Sequence, residues 1–402
     1  VAMDHSLLDR QALAGAATFG QASAPPGPVA ATQEVTRDYV DHIALVQGGL
    51  TELGVPPGLA RVVAEDDQRI GLRIYLLDNS GSTSASDGTM VTESAPGSGR
   101  WSRRTCTRWE EICALAEDHA RWNLRVGTPC EFVLLNSMGR PQGAPMEDGR
   151  DCLHVDRSRG GEADQVEALR SLLKNNGPRG VTPITERLED IRSRIQGNFQ
   201  ALSARRQMVF LVIVTDGLPT SPISGESTVA DKTRMVEVLR GLCATLPMQL
   251  VIRLCTDDSA TIEFYNRIDE ELELPLDILD DLSSEAAEVA AHGNDWFAYT
   301  PLVHRIREAG TLSKVLDAID ERSLAEAEVQ QLAECLVQTT RPMSHLGKRQ
   351  FLREFSQALR GTPRVYDART GSMRPAVDLR RLRAALRAGS CDMLRRLCCP
   401  CR

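Results

Sequence analysis

Arg73-Ile-Tyr-Leu-Leu-Asp78-Asn-Ser80-Gly-Ser82-Thr83 is an apolar run that stops on a carboxylate followed by two hydroxyls. A second run, Met208-Val-Phe-Leu-Val-Ile-Val-Thr-Asp216-Gly217, ends in the same way. Both are continuously apolar rather than alternating, which is the pattern of strands covered on both faces. Around Leu72–Leu77 and Val209–Val214, further strands are expected at Cys130–Leu135, Met248–Cys255 and Leu276–Ile278. Helical periodicity separates them at Trp109–Trp122, Glu162–Lys174, Pro183–Ile195, Thr228–Cys243 and onward from Ser259. Strands alternating with helices predict an α/β domain: a doubly wound, mostly parallel central sheet flanked by helices.

In such a sheet, ligands bind outside the carboxyl ends of strands where the strand order reverses, and Asp78 and Asp216 both stand at carboxyl ends. Carboxylate and hydroxyl oxygens suit a hard cation such as Mg²⁺, held in near-octahedral geometry at about 2.0–2.1 Å. Asp78, Ser80 and Ser82 cannot fill that shell alone. Thr182, in Gly180-Val-Thr-Pro-Ile-Thr185, offers a third loop. Taken singly, each piece has an ordinary reading: Asp78 as a cap, Thr182 as an N-cap before Pro183, Asp216-Gly217 as a turn.

Together, D-x-S-x-S, a distant T-P-x-T loop and a strand ending in T-D-G resemble the von Willebrand factor A (vWA) family and its metal-ion-dependent adhesion site (MIDAS). The resemblance implies a Rossmann-like vWA domain over residues 67–325. It implies Ser80, Ser82 and Thr182 as hydroxyl ligands, with Asp78 and Asp216 reaching Mg²⁺ directly or through water; Mn²⁺ and Ca²⁺ are the alternatives. Two carboxylates among neutral donors leave the ion electrophilic. The resemblance accordingly implies a partner protein whose Asp or Glu completes the shell, and a binding module rather than an enzyme. The seven histidines occur singly, and neither a nucleophile elbow nor a glycine-rich phosphate loop is present.

The stretch from Thr83 to Arg108 carries Arg100, Trp101, Arg103, Arg104 and Arg108 and is expected to overhang the metal residues as a loop with a basic rim. Trp101, Arg103 and Arg104 would then form a basic, aromatic rim for an acidic partner; the plainer reading is a solvated loop. Asp257 and Asp258 are expected to cap the helix beginning at Ser259 or else to border the ligand groove, and Trp296 to pin a helix onto the sheet.

The 402 residues, 42% hydrophobic and 25% charged, suffice for one large domain with appended segments. Residues 1–35, rich in Ala, Gly, Pro and Gln, read as a disordered arm, and residues 36–66 as a short helical lead-in. Residues 326–402 form a small basic α+β extension with a cysteine-rich end. From Arg341 to Arg402, 15 Lys and Arg stand against 4 Asp and Glu, +11 in a chain of −8, so residues 1–340 carry −19. Within the extension, Met343–Leu359 reads as a helix, Arg364–Val377 as a hairpin turning at Thr370-Gly371, and Leu379–Arg387 as a basic amphipathic helix. Such a tail can dock on the acidic body of its own chain. It can also lie on an anionic membrane surface with Cys398, Cys399 and Cys401 S-acylated. No aromatic platform recommends nucleic acid as its partner.

Eleven cysteines without a secretory apolar region favour a cytoplasmic protein, peripheral to the membrane if the tail is acylated. No apolar run approaches the roughly 20 residues of a membrane span. Two other roles fit a vWA domain: a copine-like membrane-associated scaffold, and an adaptor subunit of a larger catalytic complex.

Overall fold

The computed structural model describes residues 42–94, 100–137, 146–272, 275–337, 339 and 341–387; the expected arm and Cys391, Cys398, Cys399 and Cys401 lie outside them. The apolar run before Asp78 forms strand β1 (Ile70–Leu77), with every residue buried. The run before Asp216 forms β6 (Met208–Thr215), buried from Val209 onward. They join β4 (Cys130–Leu134), β5 (Cys152–Val155), β7 (Met248–Leu254) and β8 (Leu276–Leu279) in a six-stranded sheet of order β5-β4-β1-β6-β7-β8. β1 runs parallel to β4 and β6, β6 runs parallel to β7, and β5 is antiparallel to β4.

The chain therefore leaves β1 for β4 and β5 on one side, then returns to place β6 on the other. This reversal opens a crevice at the carboxyl ends of β1 and β6. The architecture is α/β with a mostly parallel central sheet flanked by helices.

The helices start and stop where local chemistry dictates. After α1 (Pro57–Asp67), Thr107 and Glu110 make a reciprocal capping box at the start of α2 (Arg108–Val126), which ends on Gly127 at φ 96°. α3 (Glu162–Asn175) packs against α2. α4 (Ile184–Ala204) and α5 (Val229–Thr245, boxed by Thr228 and Asp231) precede α6 (Ser259–Leu272), which Asp258, of the two aspartates expected there, caps through the Thr261 amide at 2.8 Å. Ile74, Leu76, Leu211, Ile213, Leu250 and Ile252 from the sheet pack with Leu188, Ile191, Leu239 and Leu242 in one apolar cluster. Fully burying each such side chain stabilises the fold by about 1.5–3 kcal/mol.

Three features depart from the sequence reading. β5 was not expected; it is a four-residue edge strand between Asp151 and Asp156. The stretch after Ser84 is not a loop throughout: β2 (Gly88–Glu93) and β3 (Trp101–Cys106) pair as a two-stranded sheet. The helix placed at Met343–Leu359 begins five residues later, at Lys348, after Gly347.

Two compact units divide the chain. The first holds Asp67–Gly88 and Thr105–Ile278, together with the described residues up to Gly48. The second holds Gly49–Asp66, Thr89–Arg104 and everything described from Leu279 onward. In this second unit lie α7 (Leu282–Ala291), α8 (Pro301–Glu308), α9 (Lys314–Asp317), α10 (Glu326–Cys335), α11 (Lys348–Arg360) and the hairpin of β9 (Arg364–Asp367) and β10 (Ser372–Pro375). The hairpin region is stitched to residues 296–299: Ala298 N–H donates to Ala376 O, Asp378 N–H to Trp296 O, and Ala368 N–H to Tyr299 O. Trp296, fully buried, lies in this segment edge-on to Phe297 with ring centroids 5.0 Å apart, and it belongs to the second unit rather than packing a helix of the sheet's unit as expected. No helix of the described residues is long and apolar enough to cross a membrane.

Candidate functional site

Asp78 directly follows β1, and its amide donates to Val214 O on β6 at 2.9 Å, so the two strand ends lie side by side. Its carboxylate is completely buried. One oxygen accepts from the Ser80 amide at 2.8 Å and the other from the Thr215 hydroxyl at 2.7 Å. Residues Gly81–Ser84 then wind into a 3₁₀ turn, which brings the Ser82 hydroxyl back beside that of Ser80, at 2.9 Å. Ser82 Oγ donates to Asp216 Oδ1 at 2.8 Å. A continuous chain of side-chain oxygens thus runs from Ser80 through Ser82 to Asp216, with Asp78 beneath it.

Thr182 enters from the loop before α4. Pro183 is the N-cap residue of that helix and makes no side-chain cap, so the Thr182 hydroxyl is not consumed as the sequence alternative required. Its amide donates to Thr220 Oγ1 at 2.8 Å, its carbonyl accepts from the Ile184 and Thr220 amides, and its Oγ1 makes no hydrogen bond among the described residues. A Cβ on Gly217 would stand 3.8 Å from that Oγ1, which places Thr182 against the residue following Asp216.

The three loops are locked by asparagines. Asn79, fully buried, donates to Asn136 O and Asn176 O at 2.9 and 3.0 Å and accepts from the Asn136 amide at 2.8 Å. Asn136 Nδ2 in turn donates to Val181 O at 2.7 Å. Gly180, at φ 70°, fits this clamp because a Cβ there would lie 2.8 Å from Asn136 Oδ1. Tyr265 donates from the other side to Gly217 O at 3.0 Å.

Electrostatically the cluster is two neighbouring carboxylates and one guanidinium. Burial pushes the Asp78 carboxyl up to about 6, and the charge of Asp216 adds to the rise, while hydrogen bonds from Thr215 and Ser80 oppose it. Arg108 Nη1 donates to Asp216 Oδ2 at 2.9 Å, and its Nε and Nη2 grip both oxygens of Asp87 at 2.7 and 2.6 Å. The hydrogen bonds to Asp87, with further help from Asp216, hold the Arg108 guanidinium more basic than an ordinary arginine, and the same contact with Arg108 lowers Asp87. Arg108 is the first residue of α2, where a cation opposes the helix dipole by about 0.3–1 kcal/mol. Its two carboxylate partners offset that cost.

All five residues read from the sequence as metal ligands, Asp78, Ser80, Ser82, Thr182 and Asp216, therefore sit at one crevice. Their donor set fits a hard cation. Adjacent oxygens of an octahedron with metal–oxygen distances of about 2.0–2.1 Å are about 2.9 Å apart, and the Ser80–Ser82 and Ser82–Asp216 separations are 2.9 and 2.8 Å. Ser82 is solvent-exposed, so the cluster is reachable.

Trp101, Arg103 and Arg104 belong to the second compact unit, where the Trp101 ring stacks on Tyr366 with centroids 5.1 Å apart. Arg103 reaches Thr89 at 3.5 Å, and Arg104 reaches Met90 across the hairpin. Cys398, Cys399 and Cys401 lie outside the described residues. Arg108, expected in a basic rim over the site, contacts Asp216 directly; sequence reasoning did not pair the two, and it missed Asn79, Asn136 and Thr215 as supports. Asn79 alone carried a local signal, as the residue between Asp78 and Ser80. No family model matches this chain, and no curated protein matches it.

Proposed function

We propose that the first unit is a vWA-type domain whose crevice holds Mg²⁺, with Mn²⁺ and Ca²⁺ as alternatives, and binds an acidic residue of a partner protein through that ion. The observation that carries this reading is the chain of oxygens from Ser80 through Ser82 to Asp216, spaced 2.9 and 2.8 Å at the solvent edge of the crevice. Ser80, Ser82, Thr182, Asp78 and Asp216 would hold the ion. When bound, the ion supplies a Lewis-acidic point for a carboxylate.

The chain's own residues do the rest. Thr215 and the Ser80 amide orient the Asp78 carboxylate, and Asp216 accepts from Arg108 on one oxygen and from Ser82 on the other. Arg108 also leaves the site one charge less negative than its two carboxylates alone. With Asp87 counted on Arg108, three carboxylates, one guanidinium and a divalent ion sum to zero, so a partner carboxylate would be drawn by the ion's open coordination position rather than by net charge.

Calorimetry of the purified chain with Mg²⁺ and Mn²⁺ tests the metal, and capture of partners from extract with wild type, Asp78→Ala and EDTA tests the role. Saturable cation uptake lost in Asp78→Ala, together with partners lost in EDTA, supports the reading. A folded protein that takes up neither ion overturns it.

A further inference from the structure

We infer that Glu131, Cys152 and His154 form a separate zinc site at the edge of the central sheet. None of the three belongs to the oxygen cluster beside Asp78, and the inference stands whether or not that cluster binds a metal.

The placement follows from strand register. β4 and β5 pair antiparallel with Glu131 opposite His154 and Val133 opposite Cys152. Directly opposed residues share a face, as do residues two apart, so Glu131, Cys152 and His154 all project to one side. One donor atom from each lies within 4.8 Å of the other two. Glu131 and Cys152 are buried, Cys152 is a free thiol, and the His154 side chain is 18% exposed. His154 Nδ1 is buried without a hydrogen-bond partner among the described residues, and its Nε2 is 3.9 Å from Glu131 Oε1.

The donor set selects the ion. One sulfur, one imidazole nitrogen and one carboxylate oxygen suit Zn²⁺, whereas Mg²⁺ and Ca²⁺ require oxygen throughout. Tetrahedral zinc separates such donors by about 3.5 Å, so side-chain rotations closing about 1 Å bring them into its shell. The charge of Glu131, Asp148 and Asp151 bears on the Cys152 thiol, with Arg194 acting against them. Burial first, and the negative charges after it, disfavour a free thiolate, while those charges favour a cation. Zn²⁺ entering the site forms a bond to Cys152 Sγ, and the thiol proton leaves to solvent.

One interaction competes. Arg194 on α4 donates to Glu131. Its side chain is 35% exposed, and Asp190, which also pairs with Arg187 at 3.1 Å, stands one helical turn earlier as a second carboxylate to which the guanidinium can turn when zinc arrives. The benefit falls to β5, an edge strand of the sheet, paired with β4 at four residues among those described. A metal bridging β4 and β5 ties that edge down.

The test is a Co²⁺ titration of the full chain carrying Cys391→Ser, Cys398→Ser, Cys399→Ser and Cys401→Ser, followed in the near-ultraviolet band of cobalt–thiolate charge transfer, with Zn²⁺ as competitor. The expected result is one equivalent of Co²⁺, displaced by Zn²⁺ but not by excess Mg²⁺. Cys152→Ser abolishes the band, His154→Gln weakens binding by about tenfold or more, and Arg194→Gln strengthens it. Circular dichroism checks folding, and His154→Gln, being partly exposed, keeps the test decisive should Cys152→Ser fail to fold. A folded protein with no thiolate band overturns the site. So does a band that survives Cys152→Ser, or an affinity indifferent to His154→Gln.

Discussion

Arg108 and Asp216, 108 positions apart, meet at 2.9 Å where α2 begins and β6 ends. The Asp216 side chain is completely buried and that of Arg108 is 14% exposed, so this is an ion pair largely shielded from solvent. It ties a helix start to the carboxyl edge of the sheet and supplies positive charge beside two carboxylates.

Replacing Arg108 by Gln should therefore act in opposite directions with and without metal. In EDTA, Asp216 would be left buried beside Asp78 without its cation, at a cost of about 3 kcal/mol, the scale for breaking a buried pair. In magnesium the same variant should bind the ion several-fold more tightly, because a repelling charge is gone. Chemical denaturation in EDTA and calorimetry in Mg²⁺ read the two effects. A purely structural Arg108 would lower both stability and affinity.

The Asp78 carboxyl sets a pH dependence in metal-free protein. Its folded value is about 6 against an ordinary 3.8, so the folded state holds the proton more tightly than the unfolded chain. Stability then falls as pH rises from about 4 to about 6, and the full penalty, up to about 3 kcal/mol, persists above that window. Asp78→Asn carries no such charge. In EDTA it should be more stable than wild type at pH 7.5, with the advantage shrinking toward pH 4. Equal differences at the two pH values would contradict the assignment. In Mg²⁺ the order should reverse at pH 7.5, since the variant loses a ligand.

Much of this arrangement was legible beforehand, and the remainder shows why some was not. Asp78 and Asp216 announced themselves because each ends a buried apolar run, and strand ends in α/β sheets are where ligands gather. Ser80, Ser82 and Thr182 followed from the motif. Arg108 was legible only as one of several rim arginines; its pairing was not, because a cation at the first position of a helix runs against the local dipole rule, and its partners, Asp87 and Asp216, are fixed only by tertiary packing. β5 escaped for a different reason: Cys152-Leu-His-Val155 is short and carries a histidine, and its strand state comes from pairing with β4. The β2–β3 hairpin, with the arginines of Trp101-Ser-Arg-Arg-Thr-Cys106, lacks the apolar alternation that marks a half-buried strand.

The hydroxyls are separable from the fold. Ser80→Ala and Ser82→Ala each remove one oxygen of the chain reaching Asp216 while leaving the Ser80 amide bond to Asp78 in place. Each should weaken Mg²⁺ binding by about tenfold, with stability changed by about 1 kcal/mol or less for exposed Ser82. Calorimetry beside thermal melts in EDTA checks both quantities. A loss of stability as large as the loss of affinity would mean the hydroxyls serve the fold instead.

Gly180 tests whether the third loop is held by its clamp. Its φ of 70° strains any L side chain, and a Cβ there would lie 2.8 Å from Asn136 Oδ1, breaking the bond from Asn136 Nδ2 to Val181 O that sits one residue before Thr182. Gly180→Ala should cost about 1–3 kcal/mol and pull Thr182 away from Gly217, lowering Mg²⁺ affinity as well. The paired variant Gly180→Ala with Asn136→Ala removes the clash and should recover part of the stability. It should recover none of the affinity, because the clamp on Val181 is then lost outright. Melts in EDTA and calorimetry in Mg²⁺ separate the two, and full recovery of affinity in the pair would show that Thr182 is positioned by something other than Asn136.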